Sequence, residues 1–360
     1  MLSIFVLSFN APGTLPNQRP ACYNPNMQLS ALGEFNLINQ LAEITQRCRQ
    51  PQVASWQNLI LGIGDDAAVW KNENNLTLAT TDCLVENVHF TLETTNWHDL
   101  GWKALAINLS DIAAMGGLPR YALVTLGLPK ETHTEDVLQL YTGMSELAEK
   151  YGTAIVGGDV SAAPAIFINI TIIGQANKHV LARNMARSGE VIAVTGNLGS
   201  AAGGLKLLHS HYQSSGEENV LCEAFLKPIP RLEIGTLLVG EGVHCAIDIS
   251  DGLVADLEHI CQQSGVGAEI EIARIPQAPE LTTFFDAGAL DLALSGGEDY
   301  ELLFTAPSEN MDQIIAKSPC QITVIGTITA KNPGHIRLLA PDGQDIAISN
   351  RGWQHFASQA

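Results

Sequence analysis

Leu61-Gly62-Ile63-Gly64-Asp65-Asp66-Ala67-Ala68 is the stretch on which the reading of this chain turns. It combines an apolar strand end, a glycine turn, two adjacent carboxylates and a small-residue exit. Two carboxylates about 4 Å apart repel by about 4 kcal/mol at an effective dielectric of about 20. Such a pair must be exposed, protonated or matched by a cation. With 38 acids in 360 residues, chance alone supplies about four adjacent acidic pairs, so the flanking glycines carry more of the signal than the pair. The same grammar recurs in Ala79-Thr80-Thr81-Asp82, Val156-Gly157-Gly158-Asp159 and Ile247-Asp248-Ile249-Ser250-Asp251-Gly252. The expectation is that these acids converge on divalent metal.

The rest of the composition narrows the classes. A chain of 360 residues, 46% hydrophobic, can bury a full core, and its length suggests two domains. The 38 acids face 19 bases, a net charge of −19. That balance excludes a general nucleic-acid binder, which needs a basic footprint. A phosphorylated small substrate stays open, because bound metal inverts the local sign. Seven cysteines, at 22, 48, 83, 222, 245, 261 and 320, form no C-x-x-C pair. They read as reduced thiols of a cytoplasmic protein, not a disulfide frame or zinc ribbon. No apolar run reaches the roughly 18 residues of a membrane span. Residues 1–9 are apolar but lack the basic start and long apolar run of a secretory signal. Residues 1–30 read as a disordered tail, with Met27 a second candidate start.

Working outward, Phe35, Ile38, Leu41, Ala42 and Cys48 mark one face of a first helix, which Pro51 limits. Strands are expected at 59–63, 68–70 and 76–81, the last ending at Asp82. A helix over 99–115 has Leu105, Leu109 and Ile112 as its apolar stripe, with Asn108 and Asp111 on a neighbouring face and Gly116-Gly117 as its stop. A strand at 121–126, a helix capped by Thr134, a strand leading to Gly157-Gly158-Asp159 and an alternating strand at 167–173 complete the first half. The domain boundary is placed within 174–189. The second half reads as strands near 190–194, 243–249, 268–272, 301–305 and 322–328. Helices begin at 231 and 253, the second capped by Asp251. Hairpin-linked strands among helices give α/β with mixed sheets rather than a doubly wound parallel sheet.

Each candidate has a functional and a plain reading. No G-x-x-x-x-G-K-[ST] loop is present, so a Walker-type nucleotide site is excluded. The segment Gly196 to Gly204 either offers N–H groups to a phosphate at a helix start or is a tight turn with close helix packing. Asp82 after two threonines suits a hard cation or an Asx turn. Asp111 is disfavoured in mid-helix, which hints at a task, or lies on a solvated face. Paired glycines before Asp159 let a backbone approach a ligand. Asp251 could be only an N-cap, which would leave Asp248 unexplained. His89 is a loop histidine with a structural or a binding role, and Arg187 is a phosphate partner or a surface arginine. Ser295-Gly296-Gly297-Glu298-Asp299-Tyr300 again joins a glycine turn to acids. Trp353 stacks on a flat ring or packs in the core.

Taken together, Gly33-Glu34-Phe35, GIGDDAA (62–68), TTDCLVENVHF (80–90), KALAINLSDIAAMGG (103–117), GGD (157–159), Arg187-Ser188-Gly189, IDISDGL (247–253), LSGGEDYEL (294–302) and the tail at 352–356 resemble the thiamine-monophosphate kinase family. The resemblance runs in order over about residues 31–356. It extends to the superfamily of aminoimidazole ribonucleotide synthetase, selenophosphate synthetase and a hydrogenase-maturation enzyme. It implies two mixed-sheet α/β domains. Residues 31–180 would bind metal and ATP and form a homodimer, and residues 181–356 would make the second α/β domain. It implies ATP-dependent phosphorylation of thiamine phosphate to thiamine diphosphate. Mg²⁺ ligands would be Asp66, Thr80, Thr81, Asp82, Asp111, Asp159, Asp248 and Asp251. ATP contacts would be Gly158, Asp159, Arg187 and Ser250, and substrate contacts His89, Glu298 and Trp353. The family tail more often carries a phenolic or other aromatic residue where Trp353 stands, so stacking carries over and a hydroxyl role does not. Asp65 is read as an outer group or turn cap.

A phosphate monoester acceptor is largely ionised near neutral pH, since its second pKa is about 6. No general base is then needed, and several Mg²⁺ ions must bring two polyanions together. Direct in-line transfer is expected because no His or Ser has an evident activating partner. The alternatives are a related ATP-dependent synthetase of the selenophosphate or aminoimidazole ribonucleotide type, and a non-catalytic metal-binding scaffold. Cys22, Cys48 and Cys83 all lack the glycine-rich setting a selenophosphate enzyme would need.

Overall fold

A computed structural model describes residue 39 and residues 57–72, 75–176, 179–210, 219–347 and 350–353. The expected first helix, the N-terminal tail and residues 354–356 lie outside the described residues.

Two mixed sheets organise the chain. The first has order β1-β2-β3-β6-β4-β5, with β1 Leu59–Leu61, β2 Ala68–Asn72, β3 Asn75–Val85, β4 Leu118–Leu128, β5 Ala154–Ala162 and β6 Phe167–Ala176. Every pairing is antiparallel except β4 with β5. Those two are joined by a helix, α2 (Thr134–Lys150), as a parallel crossover requires. Strand β6 alternates strictly between half-buried and buried residues, with Ile168, Ile170 and Ile172 turned inward. That face packs on α1 (Trp97–Ala114), whose N-cap Asn96 accepts the Asp99 N–H. The opposite face is open.

The second sheet has order β13-β12-β9-β11-β7-β10-β8. Its strands are β7 Val191–Thr195, β8 Cys245–Asp248, β9 Gly267–Glu271, β10 Leu302–Ala306, β11 Ile322–Thr329, β12 Ile336–Leu339 and β13 Asp345–Ile346. Only β9 and β12 run parallel. The helices are α3 Ser200–His209, α4 Asn219–Leu226, α5 Leu232–Gly240, α6 Leu253–Ser264, α7 Pro279–Phe285, α8 Ala289–Ser295 and α9 Ser308–Lys317. One apolar core joins the two halves: Leu105, Leu109 and Ile112 of α1 share a cluster with Leu232, Ala246, Leu302 and Phe304. A second core lies between the other face of this sheet and Leu253, Leu257 and Ile260 of α6. Helix α1 is therefore buried between the two sheets.

Four local expectations need correction. Strand β3 does not stop at Asp82 but continues to Val85. Beyond Ala79 it has lost β2 as a neighbour and pairs only with β6. Asn108 Oδ1 on α1 accepts the Asp82 N–H at 2.9 Å in its place. Likewise Gly157-Gly158-Asp159 is not a turn but part of β5. Gly158 is needed there because a Cβ would lie 1.7 Å from the Val124 carbonyl oxygen of β4. Thr134 is the first helical residue of α2 rather than its cap, which is His133. Gly252 caps α6, with Asp251 just outside it.

Candidate active site

A cleft of about 650 Å³ lies between the halves. Its walls carry Asp65, Asp66, Thr80, Thr81, Asp82, Asp111, Asp248, Asp251 and Asp256, together with Ser250, His89, Glu298 and Trp353. Asp66 leaves the turn before β2, Thr80 and Asp82 share one face of β3, Asp111 comes from α1 and Asp248 from the end of β8. Asp66, Asp111 and Asp248 each offer an oxygen within 4.8 Å of the others. A second trio meeting the same limit is Asp251, Asp256 and His259. The carboxylates are held in place. Thr80 donates its hydroxyl to Asp111, and Ser110 donates to Asp248 at 2.6 Å.

The crowding shows in protonation. Burial, then the Asp66 charge, pushes the Asp248 carboxyl up to about 8. The same two causes raise Asp65 to about 7 and Asp82 to about 6, although Asp82 opens onto the cleft. Burial and the Asp82 and Asp248 charges drive Asp111 well above the carboxylate range. His259 is pushed down to about 4 by burial and the nearby Arg183 charge. These groups cannot all ionise in this space without positive charge. Their carboxylate and hydroxyl oxygens fit a hard divalent cation of the Mg²⁺ type, with His259 as an added nitrogen donor at the second trio.

Helix α1 also delivers a cation. Lys103 is fully buried, with Nζ 3.4 Å from the Phe225 ring centroid, and it forms an ion pair with Glu298. Burial lowers the Lys103 pKa, and the Glu298 charge opposes that shift. Positions 103, 107 and 111 are four apart and fall on one face of α1, toward the cleft. Glu298 sits at φ 63 and Tyr300 at φ 49, conformations that side chains other than glycine seldom adopt. The loop keeps them through Glu298 N–H to Ser250 O at 2.7 Å and Tyr300 N–H to Ile249 O at 2.8 Å. His89 Nδ1 accepts the Val85 N–H at 3.0 Å, so a neutral ring carries its hydrogen on Nε2. Trp353 is placed by its N–H, 3.0 Å from Asp251 O. Gly352 before it has φ 125, and a Cβ there would lie 2.5 Å from that same oxygen.

Three candidates fall elsewhere. Gly158 and Asp159 lie on the exposed edge strand β5, where Asp159 accepts the Ser161 hydroxyl at 3.1 Å. In the sheet register, Asp159 stands in the row of Thr125, Asn169 and Cys83, three strands from β3. Arg187 is exposed outside the cleft, with its N–H on Glu190 Oε2 at 3.0 Å. Thr81 borders the cleft, but its hydroxyl is engaged by Asn169, Ile170 O and Thr171 on the open sheet face. The start of α3 is not an open phosphate cradle either. Half-buried Asp299 fills it, accepting from Gly199 N–H at 2.7 Å and Ala201 N–H at 3.3 Å.

The sequence reading gave no role to Lys103, Arg183, Asp256 or His259, and none to Asp299 beyond its place in the 295–300 glycine turn. Asp256 Oδ2 accepts the N–H groups of Ser250, Asp251 and Gly252 at 3.1, 3.2 and 3.1 Å, so it shapes the loop that presents Ser250 and Asp251. An acid in the first turn of a helix was its only local signal. Lys103 was visible as a rare cation eight residues before Asp111 in an otherwise apolar helix.

This architecture has known counterparts. The AIR synthase related protein N-terminal domain matches residues 64–176, and the AIR synthase related protein C-terminal domain matches residues 187–338. The two sheets and the cleft between them are thus of the AIR synthase-related type. Thiamine-monophosphate kinase of Bacillus subtilis (strain 168) is 33% identical over 336 residues, spanning 90% of this chain and 100% of the relative. That of Haemophilus influenzae is 36% identical over 335 residues, 91% of this chain and 98% of the relative. The solved structure of AaThiL complexed with AMPPCP and TMP superposes with a TM-score of 0.80 at 32% identity, covering 92% of this chain and 99% of that one. The chain belongs to the thiamine-monophosphate kinase family.

Proposed function

We propose that this protein transfers a phosphoryl group from ATP to thiamine phosphate, giving thiamine diphosphate and ADP. The observation that carries this reading is a cleft whose lining joins acids from both sheets to Glu298, His89 and Trp353. Its family relatives bear the same activity in their names.

The acceptor oxygen belongs to a phosphate monoester that is largely ionised at neutral pH, so no side chain has to remove a proton. The difficulty is to align two polyanions in an acidic cleft. Asp66, Asp111 and Asp248, with Asp82 and Thr80 beside them, would hold Mg²⁺, and Asp251 with Asp256 and His259 would hold a further ion. Bound Mg²⁺ supplies the positive charge that offsets the phosphates and orients them for in-line transfer. The protein fixes the remaining geometry. Ser110 and Thr80 set the Asp248 and Asp111 carboxylates, and Asp256 sets the loop of Ser250 and Asp251. Lys103 holds Glu298, which faces the cationic ring system of the substrate. Trp353 offers that ring a flat face, and the neutral His89 ring has its N–H on Nε2.

Gly158, Asp159, Thr81 and Arg187 belong to the reading through family resemblance; Thr81 already borders the cleft, and the other three would have to approach it when ligands bind or chains pair. The halves on either side of about residue 180 would act as a metal- and nucleotide-binding domain and a second α/β domain. Leu118, Tyr121, Leu123, Val156 and Val160 on β4 and β5 are exposed, which favours pairing of two copies through this part of the first sheet. A reducing cytoplasmic setting suits Cys83, Cys222, Cys245, Cys261 and Cys320 as thiols outside any disulfide. No helix among the described residues is long and apolar enough to cross a membrane.

The test is to incubate purified protein with Mg-ATP and thiamine phosphate, with free thiamine as control. Thiamine diphosphate is expected from thiamine phosphate alone. Tight Mg²⁺ binding without any transfer would instead support a metal-binding scaffold.

A further inference from the structure

Among the described residues that line the cleft, Arg183 is the only arginine or lysine. It stands in a short 3-10 turn, Arg183–Met185, between the two halves of the chain. Its backbone is pinned from both sides. The Arg183 N–H donates to Asp65 Oδ2 at 3.3 Å, and its carbonyl accepts the Ser264 hydroxyl at 2.9 Å. The guanidinium forks onto Asp66, with Nε 3.2 Å from Oδ2 and Nη2 on Oδ1. The Asp66 side chain is fully buried and that of Arg183 is 18% exposed. Both oxygens of Asp66 are thus engaged by one cation of the protein's own. Yet Asp66 is also one of the three carboxylates that meet within 4.8 Å.

We infer that Arg183 is an internal counter-ion that competes with the divalent cation for Asp66. In the cation-free protein the guanidinium neutralises the most crowded acid of the cleft. A metal ion that takes an Asp66 oxygen must share it with an arm of the fork or displace that arm, and it meets a fixed positive charge as it does so. Arg183 therefore weakens cation binding while it stabilises the empty cleft. Cation and arginine satisfy the same charge in turn, which keeps the acids tolerable in either state. The inference concerns the cation site and rests on the reading of Asp66 as a ligand, not on the identity of the acceptor.

The sign of one measurement decides the matter. A residue that merely oriented Asp66 would, when removed, leave a poorer ligand and weaker cation binding. A competitor would leave a better one. Isothermal titration of nucleotide-free protein with Mg²⁺ alone compares wild type with Arg183→Met. Binding about tenfold or more tighter is expected, since a hydrogen bond to a charged group contributes about 1.5–3 kcal/mol. The cation-free variant should melt lower than wild type, and Mg²⁺ should raise its melting temperature by more. Arg183→Lys keeps the charge but loses the two-armed contact, so its affinity should fall between the two. It also serves if the methionine variant does not fold, because it too must bind Mg²⁺ more tightly than wild type. Unchanged or weaker Mg²⁺ binding in the folded variants overturns the inference. Because no substrate is present, failure here is separate from failure to make thiamine diphosphate.

Discussion

The Lys103–Glu298 pair is a quantitative test of how the two halves are joined at the cleft. Lys103 belongs to α1 and its side chain is 1% exposed, whereas that of Glu298, on the loop after α8, is 26% exposed. An exposed ion pair contributes about 0–1 kcal/mol. Removing one partner of a fully buried pair costs about 3–5 kcal/mol. Glu298 can regain part of its hydration once the ammonium is gone, so a coupling of about 2 kcal/mol is expected. Lys103→Met alone is a poor measure of it. It removes the contact over Phe225, of order 1–2 kcal/mol, but also ends the burial of an ammonium. A double-mutant cycle cancels those single-site effects. Chemical denaturation of wild type, Lys103→Met, Glu298→Gln and the double variant gives the coupling directly. The same variants should raise the KM for thiamine phosphate and leave that for ATP nearly unchanged. A coupling below about 0.5 kcal/mol would place the pair with ordinary surface pairs and refute the argument.

Two other outcomes follow from the cleft. Asp256→Ala leaves the N–H groups of Ser250, Asp251 and Gly252 without their acceptor. Stability should fall by about 2 kcal/mol or more, since an unpaired buried donor costs about 1–3 kcal/mol and the Gly252 N–H is buried while the other two are partly so, and Mg²⁺ affinity should fall with it. Wild-type values for both would show that the carboxylate does not anchor the loop. The second outcome concerns pH. Asp82, Asp65 and Asp248 are raised to about 6, 7 and 8, whereas the same groups in an unfolded chain lose their protons near about pH 4. Between these limits the folded form binds more protons, so the stability of the cation-free protein should drop as pH rises from about 4 to about 8. Mg²⁺ should restore it, with an affinity that grows over the same range. Thermal melts with and without Mg²⁺ across this range check the sign, and a rise in cation-free stability would contradict it.

Much of this site was legible because its signals are local. The run Ile247 to Gly252 announces a strand end and a helix start, and Asp248 and Asp251 are indeed in the cleft. The periodicity of Leu105, Leu109 and Ile112 located α1 and, by exclusion, the side bearing Asp111. What failed needed a partner far along the chain. The glycines from 196 to 204 look like a phosphate cradle until Asp299, about a hundred positions on, takes the N–H groups of Gly199 and Ala201. Asp82 looks like a strand end because a carboxylate is a turn signal, yet Asn108 supports the strand past it. Arg183 and Arg187 carry the same local information, and only the fold turns one onto Asp66 and leaves the other in solvent.

Helix α1 reaches Glu298 from Lys103, the Asp82 N–H from Asn108, Asp248 from Ser110 and Thr80 from Asp111. These contacts lie on both sheets, and their angular order depends on the count of residues between them. One residue inserted between Lys103 and Asn108 would rotate everything after it by about 100°. Lys103 would keep its partner while Asn108, Ser110 and Asp111 swung away from theirs. Exchanging one apolar residue of this segment for another is a graded change, felt as a small gap or a tight fit. Altering its length is not graded at all: it separates the Lys103–Glu298 contact from those of Asn108, Ser110 and Asp111 in a single step.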